Sequence, residues 1–150
     1  METTNYFYDA YSEARTRLSI NIDALADEDL KKTLQPSPNS IGFLMRHIGD
    51  VELLFSKNVF NYKSVQVKAQ TVIDQKDTGV WLNILELKEY LTFSFEKLLS
   101  AIAQQDDQSW IEQVVTKEFG SKTKSEAFGR IISHTAYHAG QIAIIRKYGK

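Results

Sequence analysis

The chain has 150 residues, with 18 Lys and Arg against 19 Asp and Glu, and a formal net charge of −1. A near-neutral balance without a basic cluster argues against nucleic acid, because phosphate binding needs concentrated Lys and Arg. The absence of cysteine excludes disulfides, thiolate metal sites, iron–sulfur clusters and a cysteine nucleophile.

Eight Phe, seven Tyr and two Trp in a 43% hydrophobic chain supply enough apolar side chain for one core. The length fits one domain over residues 1–150. The N-terminal METTNYFYDAYSEA has no basic start or apolar h-region, and no apolar run reaches a membrane span. The expectation is a cytoplasmic protein that meets neither membrane nor nucleic acid.

Four segments carry helical periodicity. In the first, Phe7, Tyr11, Ala14, Leu18, Ile22 and Leu25 recur every three or four positions. QPSPNS then interrupts, since prolines end helices. Asn39 or Ser40 can cap a second helix with the stripe Ile41, Leu44, Ile48, Val51 and Phe55. A third begins near Trp81, with Asp77 or Thr78 as cap, and buries Ile84, Leu87, Leu91, Phe95, Leu98 and Ile102. Thr123 and Glu126 have capping-box spacing for a fourth, which buries Ala127, Ile131, Ile142 and Ile145 and has Gly149 at its C′ position.

Helices of this length with one apolar stripe pack most simply as an all-α four-helix bundle. Residues 61–80 are too many for a tight turn, so they predict a long crossover between parallel helices 2 and 3. Residues 106–122 form another connection, with a strand-like piece around Val114 and Val115. Lys31, Lys32, Lys122 and Lys124 are read as solvated, and Tyr6, Tyr8 and Phe60 as exposed apolar residues available for a dimer contact.

All three histidines fall on apolar faces. At about 100° per residue, His138 lies about 40° round from His134 and Gln141 about 20° the other way. His47 interrupts the run Leu44, Val51, Leu54 on the second helix. A lone histidine there is ordinarily a core residue with a satisfied hydrogen bond. An i, i+4 pair plus a third inward imidazole can instead converge on one metal ion. Three neutral ligands leave an open position, able to ionise a water or an external thiol or to polarise a carbonyl. Zinc, nickel, manganese and iron all accept imidazole.

Asp50, one turn from His47, is a candidate fourth ligand, with a solvated charge or an ion pair as the plainer reading. Gln141 can orient a ligand or a ring N–H, or bond across to another helix. Tyr137 can donate to a substrate or simply pack. Arg130 is a surface arginine that can meet an anion. Gly42, Gly49 and Gly140 weaken their helices and are explained by close helix approach or by tolerance.

The segments NSIGFLMRHIGDVE and HTAYHAGQIAIIRKYG resemble the DinB/YfiT-like family of bacterial helical proteins. The shared features are a histidine on the second helix and H-x-x-x-H-x-G-Q on the last. The resemblance implies an up-down-down-up four-helix bundle, a metal held by His47, His134 and His138, and in many relatives a homodimer. Many relatives carry a basic residue where this chain has Ala139. The activity it implies is joining a low-molecular-weight thiol to a small electrophile, or using the thiol in an isomerisation, with the nucleophile supplied by the cosubstrate. The alternatives are metal-dependent hydrolysis, with Asp50 or Glu118 as base, and a non-enzymatic, stress-related metal-binding protein.

Overall fold

A computed structural model describes residues 2–150. It is mostly helical: α1 (Glu2–Asp23), α2 (Ile41–Asn58), a short α3 (Gln70–Asp74), α4 (Ile84–Ala103) and α5 (Lys124–Tyr148). An antiparallel pair of strands, β1 (Gln113–Thr116) and β2 (Gly120–Thr123), precedes α5. No helix among the described residues is long and apolar enough to cross a membrane.

The helix starts follow from capping. The Ser40 hydroxyl accepts from the Phe43 N–H, and Thr123 and Glu126 form the reciprocal box expected at α5. The third long helix starts later than the sequence predicts. Asn83 caps it at the Glu86 N–H, while Asp77 is drawn away to accept from the Ser40 N–H and hydroxyl. The strand-like piece at Val114 and Val115 finds its partner in β2, with Val115 opposite Ser121. Gly149 closes α5 with extended backbone (φ −74°, ψ 166°), not the left-handed form expected of a C′ glycine. A Cβ there would meet the Ile145 and Thr33 carbonyl oxygens at 2.5 and 2.7 Å, so close approach selects it.

Each long helix touches two others: α2 lies against α4 and α5, and α1 against α4 and α5. The predicted stripes face this interior, where Leu18, Ile48, Leu98 and Ile131 are fully buried. Two glycines let α2 and α4 approach. A Cβ on Gly42 would stand 2.0 Å from the Trp81 carbonyl oxygen, and one on Gly49 would stand 2.6 Å from the Tyr90 ring. Gly140, by contrast, faces open space.

Two residues read as surface features are inside. Phe60 packs edge-on to Trp110 and is 3% exposed, because the chain turns back over the core beyond α2. Lys124 is buried, its ammonium donating to Gln105 Oε1 and Glu112 Oε2. Those two acceptors compensate its desolvation.

A buried polar network crosses the interior. Arg15 donates to both oxygens of Glu52, at 2.6 and 3.1 Å, and to the Leu91 carbonyl. Tyr11 and Ser94 donate to the same carboxylate, and Tyr11 also meets Thr135 at 3.1 Å. Burial beside Glu52 raises the Tyr11 pKa well above its ordinary value. Every charge in the network has a partner, the condition under which buried ions are tolerated.

Candidate metal centre

His47 projects from α2 towards α5, which presents His134 and His138 one turn apart. The i, i+4 spacing stacks the latter two on one face, and their rings lie 4.4 Å apart between centroids. The His47 ring is 5.0 Å from each. One nitrogen from each ring lies within 4.8 Å of the others, and the Nε2 atoms of His47 and His134 are 3.1 Å apart. Zinc–nitrogen bonds of about 2.0–2.1 Å at tetrahedral angles put nitrogens roughly 3.4 Å apart. Small ring rotations therefore suffice to hold an ion, and the donor set fits one.

The rings are primed unequally. His138 Nδ1 lies 2.6 Å from Gln141 Oε1, which can only accept, so that nitrogen carries the proton and Nε2 keeps its lone pair. Gln141 thus lies on the histidine face and bonds within its own helix, not across to another. His47 Nδ1 meets the Thr71 hydroxyl at 3.1 Å. His134 Nδ1 is buried without a hydrogen-bond partner among the described residues, a state that costs about 1–3 kcal/mol.

Electrostatics keep the cluster neutral. Burial, together with His138, lowers the His47 pKa to about 4, against a rise from Asp50. Burial, His138, His47 and Arg130 lower His134 to about 3, and burial lowers His138. Neutral imidazole, not imidazolium, is the ligand form.

Asp50 is fully buried. One carboxylate oxygen accepts from the Arg46 Nε at 3.0 Å and from the Tyr90 hydroxyl. The other accepts from the Thr71 N–H and hydroxyl. Asp50 is therefore a paired charge, not a solvated one. Tyr137 is 65% exposed, its ring edge-on to His138 at 5.2 Å. Arg130 reaches Glu118 at 3.5 Å.

A cleft of about 960 Å3 opens over the histidines, walled by Val51, Phe55 and Phe119 and edged by Lys117 and Glu118. A smaller one of about 330 Å3 lies on the Phe43 side. Val72 and Gln75 line both, so α3 stands between the two openings. Sequence reasoning missed Thr71, which lies in the segment read only as a long crossover. It also missed Arg15 and Glu52. The available signal was Arg15 itself, four residues from Tyr11 and three from Leu18 on the buried face of α1.

Fold and site together define a helical protein whose three histidines converge on the floor of a cleft in an arrangement able to hold a metal ion. The model of the DinB superfamily matches residues 10–142, and the chain belongs to that superfamily. No curated protein matches it.

Proposed function

We propose that this protein is a single-domain, divalent-metal-binding four-helix bundle that uses the ion on a small-molecule substrate. An up-down-down-up course is supported by two contacts that flank α2 and α4. Gly42 stands against Trp81 at their starts, and Gln105 donates to the Phe60 carbonyl oxygen beyond their ends, as parallel helices require.

The observation that carries the metal reading is the convergence of three neutral, half-buried imidazoles at the floor of an open cleft. His47, His134 and His138 hold the ion. When bound, it supplies Lewis acidity to an external thiol or water. Gln141 and Thr71 orient two of the ligand rings. Val51, Phe55 and Phe119 give an apolar wall for an electrophile and keep water from that side of the cleft. In the reaction the thiol gives up its proton, its sulfur bonds to the electrophilic carbon, and the carbon's leaving group departs with the electron pair and takes up a proton from water, so the chain need not supply a nucleophile.

The resemblance of the histidine motifs to relatives that use a low-molecular-weight thiol supports the thiol transferase over the hydrolase. Hydrolysis calls for a free base at the ion; Asp50 is committed to four hydrogen bonds, which leaves Glu118, at the cleft edge and 3.5 Å from Arg130, as the base that reading needs. A purely structural ion is the third reading, and the open cleft speaks against it. A cytoplasmic location and a homodimer complete the proposal; of the residues expected at a dimer contact, Tyr6 and Tyr8 on α1 remain exposed and Phe60 does not.

The test is elemental mass spectrometry of untagged protein beside His47→Ala, His134→Ala and His138→Ala. About one ion per chain is expected, lost in each variant. Absence of bound metal after exposure to zinc, nickel, manganese and iron would sink the metal reading. A panel of low-molecular-weight thiols with small electrophiles then separates transferase from hydrolase and from a structural site.

A further inference from the structure

The ligand His47 is held by a relay that begins on a different helix. Thr71 sits at the start of α3, is 3% exposed, and directs both its N–H and its hydroxyl to Asp50 Oδ2, at 3.0 and 2.7 Å. Its hydroxyl oxygen is also 3.1 Å from His47 Nδ1. A hydroxyl has one proton, and two acceptors compete for it. The carboxylate is the stronger and the nearer. The Thr71 oxygen is then left as an acceptor, and His47 Nδ1 must donate to it.

Asp50 is in turn fixed. Its other oxygen takes the Arg46 guanidinium and the Tyr90 hydroxyl, and Arg46 lies over the Tyr90 ring at 3.7 Å. The relay therefore runs from the α2–α4 contact, through a carboxylate and a threonine, to one imidazole proton.

We infer that Thr71, backed by Asp50, is a positioning residue: it fixes His47 as the Nδ1–H tautomer, with the Nε2 lone pair aimed at His134 and His138, and ties α3 over the cluster. The consequence for metal affinity rests on the metal reading above; the tautomer does not. Outer partners of this kind typically change metal affinity by about 10–100-fold.

The experiment uses 15N-labelled, metal-free full-length protein, with ring nitrogens read by long-range proton–nitrogen correlation, followed by zinc titration against a chromophoric chelator. Wild type is expected to show His47 protonated at Nδ1 and bare at Nε2. Thr71→Val keeps the shape but removes the acceptor; mixed tautomers and at least a tenfold loss of zinc affinity are expected. Thr71→Ser restores the hydroxyl and should recover both, which a merely structural role for the side chain would not produce.

Protonation of His47 at Nε2 in wild type overturns the inference, whether or not Thr71→Val folds. So does a Thr71→Val protein with an unchanged tautomer, or a Thr71→Ser protein that behaves like valine. A wild type that shows the Nδ1–H form yet takes no zinc leaves the tautomer assignment standing and removes the metal reading alone.

Discussion

His47 and His134 meet nitrogen to nitrogen, Nε2 to Nε2 at 3.1 Å, across the α2–α5 contact. Two lone pairs would repel at that distance, so one ring must donate. With the His47 proton held on Nδ1, the donor is His134, and its own Nδ1 is left bare and buried. Metal-free protein is therefore expected to carry His134 as the Nε2–H tautomer. Zinc must displace that proton to Nδ1. Ring nitrogen shifts before and after zinc addition check this; an Nδ1–H signal for His134 in both states would refute it.

The cluster also makes metal-free stability depend on pH. His47 and His134 have folded pKa values lowered to about 4 and about 3, against about 6.5 unfolded. Between those limits the unfolded chain binds more protons, so stability falls as pH drops. The contribution is whole above pH 6.5 and lost progressively down to about pH 4 for His47 and pH 3 for His134. Urea unfolding at pH 7.5, 6 and 5, compared with His134→Gln, should show wild type losing more stability than the variant. Parallel curves would contradict it.

Those lowered values revise the pH at which protons displace the ion. From residue type alone, affinity should weaken below about pH 6.5. Burial makes all three imidazoles resist protonation, so zinc affinity should hold to lower pH than that and fall steeply as pH approaches about 4, where His47 takes a proton. Competition titrations across that range test it; a tenfold loss by pH 6 would place the ligands in a wetter setting.

Removing one charge of the interior pair should be costly. Arg15 and Glu52 are almost wholly buried, at 4% and 0% side-chain exposure. Glu52→Gln leaves the guanidinium without its counter-charge, and a loss of about 3–5 kcal/mol is expected. The double variant Arg15→Met, Glu52→Gln should lose less than Glu52→Gln alone. Denaturant midpoints decide, and a double variant worse than either single one would contradict the pairing.

Two helix glycines should respond oppositely to alanine. At Gly49 the added methyl meets the Tyr90 ring at 2.6 Å, so the Tyr90 bond to Asp50 must shift. Overpacking of this kind costs about 1–3 kcal/mol. At Gly140 nothing is within 4 Å, and alanine should stabilise the helix by about 0.5–1 kcal/mol. Thermal melts of the two variants provide the comparison.

The long helices and the histidine face were legible because both are periodic. A stripe such as Ile41, Leu44, Ile48, Val51 and Phe55 reports its buried side directly, and His47 interrupts it in phase. Thr71 was not legible, since its importance lies in a contact with Asp50, 21 positions away, and no local pattern announces a five-residue helix. Asp77 looked like a cap because it precedes an apolar stripe; it serves the start of α2 instead. Phe60 and Lys124 were misplaced for the same reason: residues beyond a helix end, or at its first position, take their environment from whatever the chain folds over them. Arg15 hid because a charged residue near an apolar stripe is usually solvated.

The histidine cluster has a topological consequence in a chain without cysteine. His47 and His134 are 87 positions apart, and an ion bridging them closes most of the sequence into a loop. Such a bridge would restrain the chain as a disulfide does, yet would be reversible by chelation or acid. Free ion at a hundredfold excess over Kd adds about 2.7 kcal/mol to folding. Metal supply would then set how long the molecule survives unfolding as well as what it can do.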